Sequence, residues 1–195
     1  VLSLPAQYGS ISKVYTIQEK ATNTTIGTPP SAVDVYVLGS NNDGTLKTTS
    51  PALKQNIITY LQPFRVINDS VKIKDAFIIN IGVNFDIIVL PNYNSNQVLS
   101  NCIIALQTYF NINNWQINQP ILLRDIYTIL DRVEGVQSVT SVRIVNLYDS
   151  KLGYSGNVYD IEAATKAGVI YPSLDPSIFE VKFPNNDIIG KVVSL

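Results

Sequence analysis

Histidine is absent from this chain, and with it goes most of the catalytic repertoire that works near neutral pH. There can be no Ser-His-Asp or Cys-His arrangement, no imidazole metal site and no general base with an unperturbed pKa near 7. Cysteine occurs once, at Cys102, which excludes an intramolecular disulfide and any multi-cysteine metal site. Cys102 lies in an apolar helical pattern and reads as a small buried hydrophobe. Neither a Walker loop nor a glycine-rich dinucleotide fingerprint follows any strand, so no cofactor is expected. Charge is scarce: 15% of residues are charged, against roughly 25% in an ordinary domain. The 14 basic residues are scattered among 15 acidic ones, for a net charge of −1 and a pI near 5.3. Neutralising phosphates needs clustered Lys and Arg, so nucleic acid is not an expected partner. No run approaches the roughly 20 apolar residues of a membrane span, and residues 1–20 lack the basic-then-apolar order of a signal peptide. Methionine is also missing and the chain starts at Val1, so it is expected to be a piece of something longer.

What is present is a 46% apolar sequence, enough for a sizeable core, with polarity supplied largely by Asn, Gln, Ser and Thr. Amides cost less to desolvate than ions, so such a surface suits large buried contacts. Val1 to Gly27 reads as extended or loosely structured, and Thr28-Pro29-Pro30 closes it. Ala32 to Leu38 is a short strand, followed by the turn-rich Gly39-Ser40-Asn41-Asn42-Asp43-Gly44. Ser50-Pro51 opens a helix with Leu53, Ile57, Ile58 and Leu61 on one face. Phe77, Ile79, Ile81, Val83, Phe85, Ile87 and Val89 form an unbroken odd-numbered series, predicting a long strand with one buried face. Ser95 or Asn96 caps a second helix to about Phe110, and a third runs from about Pro120 to Arg132, ended by Gly135. Val136 to Leu147 reads as a final strand pairing with the long one. The expected fold class is α+β: a mixed sheet with helices layered on one face, plus extended N- and C-terminal segments.

From Tyr148 onward, glycines and prolines punctuate a stretch with no sustained period, yet it keeps the aromatic and aliphatic residues a disordered tail would lack. The expected organisation is an extended segment 1–30, an α+β domain 31–147, and an irregular arm 148–195. That arm either folds back over its own domain or lies on another subunit. Carboxylate pairs are the remaining route to catalysis. Asp125 with Asp131 and Glu134 sits beside Arg124 and Arg132 and reads as a solvated face; Asp160 and Glu162 have no neighbour that would raise a pKa. Asn41-Asn42-Asp43-Gly44 lacks the ligand periodicity and closing Glu of a calcium loop. Arg65 could anchor an interface, or serve helix C-terminal carbonyls or Asp69. Trp115 with Tyr109 is the one aromatic cluster that could form a carbohydrate or receptor platform.

Taken in order, several pieces resemble a known family. Val33-Asp34-Val35-Tyr36-Val37-Leu38, Ser50-Pro51-Ala52-Leu53, the turn Leu61-Gln62-Pro63-Phe64-Arg65 and the strands Val71–Lys74 and Phe77–Val89 are similar to the baseplate J-like module of contractile phage tails. Tyr8-Gly9-Ser10-Ile11-Ser12-Lys13-Val14, Val169-Ile170-Tyr171-Pro172-Ser173-Leu174-Asp175-Pro176 and Phe179 to Ile188 resemble the large wedge subunits of T-even-type phages. The resemblance implies a virion structural protein, not an enzyme, that dimerises through its terminal regions, joins a ring around the tail hub and binds other baseplate wedge proteins. Tyr171, Leu174, Ile178 and Phe179 are then the expected interface residues of the arm, with Arg65 as a further candidate. The alternative is a receptor- or carbohydrate-binding tail module.

Overall fold

A computed structural model describes residues 10–18, 32–64 and 70–194. The chain divides into two compact units, Val1–Phe77 and Ile78–Leu195, whereas the sequence reading places its boundaries near residues 30 and 147. Arg65 and residues 1–9 and 19–31 lie outside the described residues, as does most of the expected extended N-terminal segment.

In the first unit, β1 (Lys13–Gln18) pairs antiparallel with β2 (Ala32–Ser40). The Val14–Ile17 run is β-branched and aromatic, which suits a strand, so this part of the loosely structured segment is a sheet member. The two-residue β3 (Leu46–Lys47) hairpins onto the end of β2. Asp43 makes the turn by accepting from the Thr45 backbone N–H and hydroxyl, the hairpin role its sequence suggests. Next, α1 (Pro51–Leu61) starts as expected: the Ser50 side chain accepts from the Leu53 N–H, with proline at the first helical position. It carries the chain across to β4 (Ser70–Asp75), which runs parallel to β2, since parallel neighbours need a long crossover. The alternation of β2 puts Val33, Val35 and Val37 on one face, where Ile57, Leu53 and Leu61 of the helix close over them.

In the second unit, β5 (Phe77–Val89) has the predicted bounds and is central. Two helices follow it: α2 (Ser95–Tyr109) and, after β6 (Ile121–Leu122), α3 (Leu123–Asp131). Asn94 rather than Ser95 or Asn96 caps α2, accepting from the Asn96 and Gln97 N–H groups. The third helix begins three residues later than expected because the Ile121–Leu122 backbone pairs with Val169–Ile170, and the Leu123 N–H goes to the Gly168 carbonyl. β7 (Val136–Asn146) then pairs antiparallel with β5. Val98, Cys102, Leu106, Ile126 and Leu130 of the helices are buried, and so are Ile81, Val83, Phe85 and Ile87 of β5, the odd-numbered face read from the sequence.

The C-terminal segment is more regular than its sequence suggests. It contains α4 (Ile161–Ala164), β8 (Thr165–Lys166), β9 (Val169–Ile170), β10 (Ser177–Glu180), α5 (Pro184–Asp187) and β11 (Ile188–Val192). Both β10 and β11 join β5, the latter in parallel register with Ile188 beside Val83 and Val192 beside Ile87. The strand at the centre of the unit is thus completed by the last residues of the chain. The result is α+β with mixed sheets, as expected. One feature of β5 differs: its even-numbered side is covered too at its start, where Asn80 is fully buried and donates to Glu180, itself buried, on β10.

Candidate interaction surface

The residues expected at an interface fall into separate environments. Ile178 and Phe179 on β10 are buried in their own unit, so they serve its core. Tyr171 is 49% exposed and Leu174 is 105% exposed, the latter standing clear of the chain. Both belong to the turn from Tyr171 to Pro176 that links β9 to β10. Side-chain and backbone bonds hold this turn in one shape. The Ser173 N–H donates to the Ser177 hydroxyl at 3.1 Å, and the Ser173 hydroxyl to the Asp175 carbonyl. The Tyr159 hydroxyl reaches the Tyr171 carbonyl at 2.7 Å. Asn118, at a positive φ of 64°, brackets the far end. Its N–H donates to the Ser177 carbonyl at 2.7 Å, and its side-chain oxygen accepts from the Ser177 N–H at 3.1 Å. Pro172 and Pro176 restrict the backbone further. An apolar side chain thus projects from a pre-shaped loop, an arrangement that lowers the ordering cost of a contact.

The platform expected at Trp115 is not one. Trp115 is 2% exposed, stacked on Phe110 with centroids 5.6 Å apart, and its indole N–H donates to the Tyr109 carbonyl. The rings close the core below the end of α2 because apolar rings at 109, 110 and 115 meet once the chain turns back there. The carboxylates disperse as well. Asp160 caps α4 by accepting from the Ala163 N–H, and Glu134 accepts from the Tyr93 hydroxyl, which pushes the Tyr93 pKa up. Among the described residues, no group of three or more His, Cys, Asp or Glu is placed to hold a metal. Burial pushes the Cys102 thiol up to about 11, so it stays a protonated hydrophobe at neutral pH.

Sequence reasoning missed the polar pins of the C-terminal segment. Burial, then the hydrogen bond from its hydroxyl to Asp187 at 2.6 Å, pushes the Tyr154 pKa up to about 12. The second Asp187 oxygen accepts from the Phe183 N–H. Ser155 and Asn157 bind the Ile78 carbonyl, and the Ser155 N–H donates to Asn80. Asn80, an amide among the aliphatic residues at the start of β5, was the available signal.

The second surface lies on the open part of the sheet. A concavity of about 360 Å³ is lined by Asn84, Phe85 and Asp86 of β5, Ser141 and Arg143 of β7, and Ile189 and Lys191 of β11. Asp86 accepts from the Ser141 hydroxyl at 2.8 Å.

No protein-family profile matches the sequence, and no curated protein does. Among solved structures, a chain of the cryo-EM structure of the anti-feeding prophage baseplate, 6-fold symmetrised, is similar over 84% of this chain and 29% of that chain. The identity is 11% and the TM-score 0.42. This chain therefore spans 29% of that neighbour's length.

Proposed function

We propose that this chain is a structural subunit of a contractile phage tail baseplate, part of a wedge. In this reading it holds a second copy of itself and other wedge proteins around the tail hub and performs no chemistry of its own. The observation that carries the reading is the Tyr171–Pro176 turn, whose fully exposed Leu174 is held in place by hydrogen bonds. An aliphatic side chain so completely exposed on a rigid support contributes nothing to its own unit and fits a contact site. The baseplate part of the reading is supported by the sequence motifs that resemble the J-like module and the wedge flanks.

Deleting residues 160–195 is the test the sequence invites, but it would remove β10 and β11 from the sheet. Loss of solubility would then say nothing about an interface. Substitution is cleaner: the mass of the purified chain is followed by light scattering over a concentration series, with and without Tyr171→Ala plus Leu174→Ala. A dimer that persists on dilution and becomes monomeric in the double variant is expected. A strict monomer, or a dimer indifferent to the substitutions, would remove this surface from the reading.

A further inference from the structure

The register of the second sheet sorts its open face into rows. Ile189, Asn84 and Arg143 lie side by side across three strands, and Lys191, Asp86 and Ser141 form the next row. Toward the start of β5 this face is covered by the chain itself, at the buried Asn80 and its partners from Ser155. From Asn84 onward the cover ends and the concavity of about 360 Å³ opens. Its floor is the half-buried Asn84 and Asp86, and its walls carry the exposed Arg143 and Lys191. Neither cation takes part in an ion pair among the described residues. With Asp86 already receiving the Ser141 hydroxyl, two cations face one carboxylate and the hollow is net positive. Arg143 and Lys191 are on the two strands flanking β5 and in adjacent rows, so their backbones stand two strand spacings across and two residues along, about 12 Å apart. One turn of chain fits between them. The apolar element of the hollow is Ile189, which is 52% exposed.

The turn at Tyr171–Pro176 presents the complementary pair. Leu174 is its apolar tip, and the next residue, Asp175, is exposed with no hydrogen bond or ion pair to its carboxylate among the described residues. Asp149 and Asp160 cap short helical turns and Glu134 holds Tyr93; Asp131 and Glu162 are exposed like Asp175, but neither stands beside an apolar tip such as Leu174. We propose that the Tyr171–Pro176 turn of one copy seats in the sheet-face hollow of a second copy, Leu174 against Ile189 and Asp175 between Arg143 and Lys191. The contact is reciprocal about a two-fold axis, each copy giving one turn and one hollow, as an isologous interface requires. This deepens the dimer reading above and rests on it. A polyanion fits the hollow less well, because two cations and Asp86 leave one net positive charge, which a single carboxylate balances and a phosphate chain exceeds.

The test is a charge exchange on the full chain. Asp175→Arg and the pair Arg143→Glu plus Lys191→Glu each place like charges together in their own homodimer. Each is expected to weaken dimerisation about tenfold or more by sedimentation or light scattering. Mixing the two variants creates a heterodimer in which the Arg turn meets the Glu hollow and the native turn meets the native hollow, so association returns toward the unsubstituted chain. All three positions are exposed, and unchanged circular dichroism verifies that each variant is folded. Dimerisation that is unaffected by either variant, or that fails to return on mixing, overturns the proposal. If Tyr171→Ala plus Leu174→Ala breaks the dimer while Arg143→Glu plus Lys191→Glu does not, the turn is an interface and the hollow is not its seat. If neither set changes the dimer, both readings fall.

Discussion

Asp75, at the end of β4, ties together two segments before and within α1. One carboxylate oxygen accepts from the Thr49 N–H at 3.0 Å and the Thr49 hydroxyl at 2.7 Å, and the other binds the Lys54 ammonium. Burial by itself pushes this carboxyl up, but the Lys54 and Thr49 contacts together outweigh it and hold it below the ordinary carboxylate value. A folded-state pKa below the unfolded one means the stabilisation is fully present above about pH 4 and is lost as the pH falls through the folded pKa. Asp75→Asn should therefore lower stability at pH 7 by about 1–2 kcal/mol, since hydrogen bonds to a charged group are lost. The same variant should lose less than the native chain on going from pH 5 to pH 2. Urea denaturation at each pH measures both effects. An equal acid-side loss in the two proteins would mean other carboxylates dominate.

At the scale of elements, β11 lies close against β5 and α2 at Gly190. A methyl group at Gly190 would fall 2.6 Å from the Leu99 Cδ1 and against the Phe85 ring. The glycine is what lets α2 and the β5 side chains approach the last strand so closely. Gly190→Ala is expected to destabilise the second unit by about 1–3 kcal/mol through overpacking, read as a lower denaturation midpoint with unchanged slope. That requirement could not be read from the sequence, because it depends on residues about a hundred positions apart meeting across a parallel pair. The same reason explains what was and was not legible elsewhere. β5 and α2 advertise themselves through long local periods, so their bounds could be read to within two residues. By contrast, β6, β8 and β9 are two residues each and exist only as partners for one another. The apolar residues of the arm were visible as a group, but not that Ile178 would be core and Leu174 bare. Both sit among prolines and turns, and only the strand pairing of β10 separates them. The polar hollow was invisible for the complementary reason: Arg143 and Lys191 are ordinary surface residues until β7 and β11 flank the same strand.

For the whole molecule, the relative size of apolar and charged terms decides how a dimer built on this surface responds to salt. The chain has a net charge of only −1, so long-range repulsion between copies is weak and local contacts set the affinity. Burying one leucine contributes about 1.5–3 kcal/mol, and a reciprocal contact buries two. An ion pair near a surface contributes about 0.2–1 kcal/mol and is screened within about 8 Å at physiological ionic strength. The apolar tip therefore outweighs the charges in affinity, while the charges decide where the tip is placed. Raising sodium chloride from 0.05 to 0.5 M is expected to weaken dimerisation about three- to tenfold. Leu174→Ala, acting twice, is expected to weaken it about a hundredfold or more, at either salt concentration. Sedimentation equilibrium at the two ionic strengths, with and without Leu174→Ala, separates the terms. A dimer that strengthens with salt would mean the hollow's cations face no acid, leaving the apolar tip without the electrostatic partner that orients it.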